Sequence, residues 1–102
     1  MIKISVRRGK DSCVITVQGH ARFAPKGQDI VCSAVSTLYQ TLHQYVLMDT
    51  TARIESIQAK QDEYTLTITD MENEARSGLK YFLRGCQKVE EAYPANVELN
   101  ID

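Results

Sequence analysis

The chain has 102 residues, of which 43% are hydrophobic and 25% charged, and its formal net charge is −1 at pH 7. This length is enough for one hydrophobic core and not for two, so we expect a single domain over residues 1–102. The composition is that of an ordinary globular protein, not of a disordered chain or a coiled coil. A near-neutral charge without a block of like charges argues against nucleic-acid binding, which needs cations to neutralise phosphates.

The N-terminus and the cysteines indicate a cytoplasmic protein. Charged and apolar residues alternate over residues 1–8, whereas a secretory signal needs a continuous apolar stretch. No segment has the roughly 18 to 20 apolar residues of a membrane span, so we expect no membrane partner. The three cysteines, Cys13, Cys32 and Cys86, are an odd number without close pairing. This favours free thiols in a reducing compartment over a disulfide framework.

The first two predicted elements are strands. Ile2, Ile4 and Val6 alternate with polar residues, and a second β-branched run follows at 13–18. The residues between the two runs are turn-forming, so the strands are predicted to form a hairpin. Residues 19–28 contain two glycines and a proline and predict a loop that is longer than a plain connection needs.

Both helices and the remaining strands are predicted after this loop. Apolar residues at helical spacing predict a first helix from Ile30 to about Met48, with Asp29 as its N-cap. Two further strands are predicted at 53–59 and 63–69 and form a second hairpin. A second helix is predicted at 73–92 and a final strand at 97–101. The order ββαββαβ predicts an α+β domain in which two long amphipathic helices pack on a mostly antiparallel sheet.

Two side chains that flank the long loop have the chemistry of a nucleophilic site. His20 stands where the second strand ends, and Cys32 is the third residue of the first predicted helix. The unpaired N–H groups and the dipole at a helix start favour a thiolate, and a protonated histidine nearby favours it further. The same N–H groups, including that of Cys32, are candidates to bind an oxyanion.

The neighbouring polar residues leave alternatives open. As a cap, Asp29 would bind backbone N–H groups, whereas turned toward His20 it would fix the imidazole tautomer as the third member of a triad. Ser36 lies one turn beyond Cys32 on the same helix face, close enough to hydrogen-bond into the site. From spacing alone, a core cysteine and an unrelated surface histidine remain the simpler interpretation.

A metal site is a weaker alternative. The two histidines and three cysteines supply imidazole and thiol, but none of them stand at the close spacings typical of zinc sites. The glycine-rich motifs that bind nucleotide phosphates are absent from the sequence as well. We therefore expect neither a metal nor a cofactor.

The residues around the loop form a recognisable motif. Gly19-His20-Ala21, followed at 27–36 by the sequence GQDIVCSAVS, resembles the signature of the ribosomal-processing cysteine protease family, Prp. The chain length and the order of the predicted elements also look like that family, so the similarity covers essentially the whole chain. Ser33 stands where alanine is frequent in the family, which is a small departure.

The resemblance implies a function. Members of the family are cytoplasmic endopeptidases, usually described as homodimers, that remove a short N-terminal extension from a large-subunit ribosomal protein. The extension typically presents an aromatic pair just before the cut. A non-enzymatic module that binds a ribosomal protein or the ribosome through residues 19–28 remains the alternative. That alternative gives no reason for a histidine and a cysteine to flank the loop.

The resemblance also assigns roles to individual residues that match positions of the family motif. Cys32 would be the nucleophile and His20 the general base. Phe23 and Tyr39 are candidates to line an apolar pocket for the aromatic side chain of the substrate. The supporting residues would be Asp29, Ser36, Gly19 and Gly27, with the two glycines letting the loop open for a peptide and close over it.

Overall fold

The computed structural model describes residues 1–102 and contains five strands and two helices. The strands are β1 (Ile2–Arg8), β2 (Cys13–Gln18), β3 (Arg53–Lys60), β4 (Glu63–Thr69) and β5 (Val97–Ile101), and the helices are α1 (Ile30–Asp49) and α2 (Asn73–Ala92). The predicted order ββαββαβ and the α+β class are confirmed. None of the helices is long and apolar enough to cross a bilayer.

All five strands belong to one sheet with the order β3-β4-β2-β1-β5. The pairs β1–β2, β2–β4 and β3–β4 are antiparallel, whereas β5 runs parallel to β1. The pairing of β2 with β4 joins the two hairpins, and its register places Gln18 opposite Glu63. The end of β2 therefore lies beside the turn between β3 and β4.

The core lies between the sheet and the helices. Alternate residues of the central strands are fully buried, as the period of a strand with one covered face requires. Ile4, Ile15, Leu66 and Ile68 are each 0% exposed, and each contributes roughly 1.5–3 kcal/mol by burial. The helices complete this core with apolar side chains that include Val31, Val46, Ala75 and Cys86. The start of α1 is thereby fixed against the sheet.

Candidate active site

The first turn of α1 is capped by Asp29. Its Oδ1 accepts hydrogen bonds from the N–H groups of Val31 and Cys32, both at 3.0 Å. Its Oδ2 accepts from Phe23 at 3.0 Å and from Ala24 at 3.3 Å, which ties the preceding loop to the helix. Partial desolvation acts to raise the pKa of this carboxyl, but the four backbone hydrogen bonds together hold it below its ordinary value. Of its two predicted roles, Asp29 has that of the cap.

Cys32 lies half-buried in this first turn. Its Sγ accepts a hydrogen bond from the N–H of Ala21 at 3.4 Å. Its own N–H donates to Asp29, and the N–H of Ser33 donates to the carbonyl oxygen of Asp29 at 3.1 Å. The expectation that the N–H of Cys32 is free for an oxyanion is therefore wrong in this structure, because the cap occupies it.

His20 follows β2 and points to the turn between β3 and β4. Its Nε2 lies 2.5 Å from Oδ1 of Asp62, and its side chain is 61% exposed. The preceding Gly19 has a φ of +91°, and a Cβ there would lie 2.5 Å from the carbonyl oxygen of Met1. Only glycine fits such a position, so Gly19 sets the direction in which His20 leaves the strand.

His20 and Cys32 line the same groove, which has a volume of about 280 Å³. Its wall includes Tyr39 of α1, whose ring stacks on Tyr64 of β4 with the centroids 4.2 Å apart. The hydroxyl of Tyr64 is buried without a hydrogen-bond partner. Desolvation, with a smaller contribution from Tyr39, raises the pKa of this hydroxyl. The groove therefore combines a thiol, an imidazole and an aromatic wall.

The other residues singled out in the sequence divide into two groups. Ser36 lines the groove, and its Oγ accepts a hydrogen bond from Nε2 of Gln40 at 2.8 Å. Phe23 does not line the groove as expected, because its ring packs edge-on against Tyr93 with the centroids 5.2 Å apart. Gly27 lies outside the groove with a φ of +89° and open space around it. The structure thus brings together Gly19, His20, Cys32, Ser36 and Tyr39.

The sequence did not predict two contributors to the groove, Asp62 and Tyr64. Both are brought there by the antiparallel pairing of β2 with β4. The alternation in the sequence predicts the two hairpins but not which of their strands meet. With that pairing known, the position of Glu63 opposite Gln18 would have placed Asp62 close to His20.

A second groove lies between the two helices and contains neither a thiol nor an imidazole. The groove between α1 and α2, about 430 Å³ in volume, is lined mainly by apolar side chains such as Leu38, Tyr45 and Phe82. No three of the histidine, cysteine, aspartate and glutamate side chains converge in a way that could hold a metal ion. Cys13 and Cys86 are buried in the core.

Comparison with protein families decides the affiliation of the chain. Residues 1–98 match the family model described as cysteine protease Prp. The chain belongs to the Prp family. The ribosomal processing cysteine protease Prp of Mycoplasma pneumoniae is 58% identical over 36 residues, which are 35% of this chain and 32% of that relative. The match therefore spans only about a third of that relative's length.

Solved structures extend the Prp similarity over the whole fold. The essential ribosomal processing protease Prp from S. aureus, in complex with a covalently linked product peptide, is similar with a TM-score of 0.87. This match covers 100% of both chains at 25% identity. SMU.848 from Streptococcus mutans is 28% identical, with a TM-score of 0.73 over 99% of this chain and 93% of the other.

Proposed function

We propose that this Prp-family chain is a cysteine endopeptidase that removes the N-terminal extension of a large-subunit ribosomal protein. The observation that carries the proposal is that the groove holds both Cys32 and His20, with a backbone N–H directed at the sulfur. A thiol and a base at one substrate-accessible surface are the minimum equipment of a cysteine nucleophile. The S. aureus Prp, whose fold this chain shares, is a ribosomal processing protease in complex with a product peptide.

In the proposed reaction Cys32 is the nucleophile and His20 the general acid and base. The thiolate attacks the scissile carbonyl carbon, the C–N bond breaks, and the imidazolium gives its proton to the leaving amine. The extension is then held on the sulfur as a thioester. Neutral His20 takes a proton from water, the resulting hydroxide attacks the thioester, and the C–S bond breaks. The extension leaves as a carboxylic acid, and the thiolate and imidazolium are restored.

The supporting residues have separate proposed roles. Asp29 holds the start of α1 and the loop in place through its four hydrogen bonds. Tyr39 belongs to the wall against which an aromatic substrate side chain would pack, and Ser36 supplies a hydroxyl one turn from the nucleophile. Gly27 is the freer of the two glycines for loop movement, because Gly19 is packed against backbone.

We also propose that the enzyme is a cytoplasmic homodimer. Free Cys32 requires a reducing compartment, because oxidation of the sulfur would remove the nucleophile. The outer face of the helices exposes apolar surface, with Tyr81 83% exposed beside the groove between α1 and α2. Exposed apolar patches mark interaction surfaces, and the partner that the proposal assigns to this one is a second copy of the chain. Sedimentation equilibrium should give twice the 11.5 kDa of one chain, and a single-chain mass would refute the dimer.

A peptide that copies the ribosomal extension tests the activity. We expect Cys32→Ala and His20→Ala each to lower the cleavage rate by roughly a thousandfold or more, because a nucleophile and its base act as a unit. The matched controls are Ser33→Ala, an exposed neighbour on α1, and His43→Gln, and both should cleave at the wild-type rate. Product masses measured over time give the rates.

Two results would contradict the proposal. One is cleavage at the wild-type rate by Cys32→Ala or His20→Ala. The other is wild-type protein that binds the precursor but leaves it intact, which would support a non-enzymatic binding module.

A further inference from the structure

We propose that Asp62 is the positioning residue for His20. In this arrangement the carboxylate accepts the Nε2 proton and orients the ring, so that Nδ1 serves the sulfur of Cys32 and the leaving amine. The inference rests on the proposed function, since it assigns a role within the same groove. Neither the loop motif nor the helix start contains Asp62, which belongs to the turn between β3 and β4.

Two contacts join the same two segments of chain. Nε2 of His20 lies 2.5 Å from Oδ1 of Asp62, and the N–H of Gly19 donates to the carbonyl oxygen of Asp62 at 2.8 Å. The backbone contact extends the β2–β4 ladder by one step beyond Glu63. The carboxylate is therefore carried on a backbone that is itself attached to the residue before the histidine. A group held in this way can orient an imidazole with little freedom of its own.

The position of the carboxylate also decides the chemistry of the ring. A neutral imidazole carries one proton, and a carboxylate at Nε2 keeps the proton on that nitrogen. Nδ1 is then the basic nitrogen, available to accept the thiol proton and later to protonate the amine. Once the ring is charged, the same carboxylate stabilises the imidazolium. Asp29 is not available for this role, because both of its carboxylate oxygens bind backbone N–H groups.

Stability does not explain this pair. The side chains are 61% and 48% exposed, and surface ion pairs of this kind contribute little to folding. His20 and Asp62 both line the groove, so a bound peptide would cover them and exclude water. Their attraction strengthens as the surroundings lose water. The contact therefore becomes strongest when substrate is present, as a positioning role requires.

Substitutions at Asp62 can remove the carboxylate without straining the turn. Asp62 has a φ of +64°, a left-handed conformation that asparagine and glycine both tolerate. We expect D62N and D62G to lower kcat for the extension peptide roughly 10- to 100-fold, with KM within about twofold. Added formate should restore part of kcat to D62G, because a free carboxylate can occupy the vacated site. Chloride at equal ionic strength should not.

Asp70 provides matched controls at the other end of β4. It is exposed and has a φ of +53°, so D70N and D70G remove an equivalent turn carboxylate far from the groove. Both should retain wild-type kcat and gain nothing from formate. The inference is overturned if D62N keeps wild-type kcat. It is also overturned if formate fails to rescue D62G while the urea midpoint of that variant falls, which would indicate a structural role.

Alkylation of Cys32 by iodoacetamide separates this inference from the proposed function, because it needs no substrate. If Asp62 positions His20, the alkylation rate of Cys32 falls in D62N, D62G and H20A but not in D70N. Suppose that alkylation of Cys32 is slower in D62N, D62G and H20A but that wild-type protein does not cleave the peptide. The protease function would then be rejected, and the positioning of His20 by Asp62 would be retained. If both Asp62 variants cleave the peptide and are alkylated at the wild-type rates, the protease function is retained and the positioning role of Asp62 is rejected.

Discussion

The three thiols of this chain differ in their surroundings. Burial raises the pKa of Cys13 to about 11 and that of Cys86 to about 12. Cys32 is half-buried in the groove, and a backbone N–H is directed at its sulfur. Since the thiolate is the reactive form, the environment of each residue sets its reactivity.

Selective alkylation at neutral pH is the prediction at this scale. With a pKa of about 11, Cys13 has only about one thiol in ten thousand ionised at pH 7, and Cys86 has fewer still. Iodoacetamide should therefore modify Cys32 well before either of them, as measured by peptide mapping over time. In urea-unfolded protein all three should react at similar rates. Equal rates in the folded protein would mean that Cys32 is not activated.

Among the secondary-structure elements, the loop between β2 and α1 decides the geometry of the site. It begins at Gly19, which is packed against the backbone of Met1, and it is attached to α1 through Asp29. Gly27 has a similar positive φ but no atom within 4 Å of an added Cβ. Both glycines therefore adopt a positive φ, but only Gly19 is packed too tightly to accept a Cβ.

Alanine substitutions should separate these two effects. Gly27→Ala adds backbone strain alone and should destabilise the fold by about 1–2 kcal/mol. Gly19→Ala adds a clash with backbone that cannot move freely, so we expect roughly 2–5 kcal/mol and a misplaced His20. Urea denaturation gives both values, and peptide cleavage gives the activity. Equal destabilisation by the two substitutions would show that the contact with Met1 is relaxed in solution.

At the scale of the whole molecule, the groove depends on the hydrophobic core, which holds together the segments that line it. The groove is built from the end of β2, the β3–β4 turn and the start of α1, which are distant in sequence. The central strands supply fully buried side chains to this core, including Ile15 and Leu66. Loss of packing there should loosen all three parts of the groove together.

Leu66→Ala tests this dependence. Leu66 is 0% exposed, so its truncation should lower the free energy of unfolding by about 3–5 kcal/mol, a large share of a typical domain's stability. Cleavage activity should be lost at the same lowered urea concentration as the tertiary signal. Leu47→Ala, at a residue 58% exposed on α1, should change stability by about 0.5 kcal/mol or less. Activity lost well before the tertiary signal would show that the groove unfolds independently.

Local interactions let the sequence by itself determine the elements, the cap and the family. Alternation and helical spacing depend on neighbours along the chain, so strands and helices could be predicted to within a residue or two. Asp29 could be recognised as a candidate cap for the same reason. The motif around His20 and Cys32 indicated the Prp family, because its residues lie close together in sequence.

Only the tertiary structure decided how these elements meet. The pairing of β2 with β4 and of β5 with β1 joins residues far apart in sequence. Such pairing depends on which strand edges bury the most apolar surface together. The pattern of residues within one strand therefore cannot predict which other strand it pairs with. For this reason the sequence could not show Asp62 beside His20, Tyr64 beneath Tyr39, or Phe23 turned away toward Tyr93.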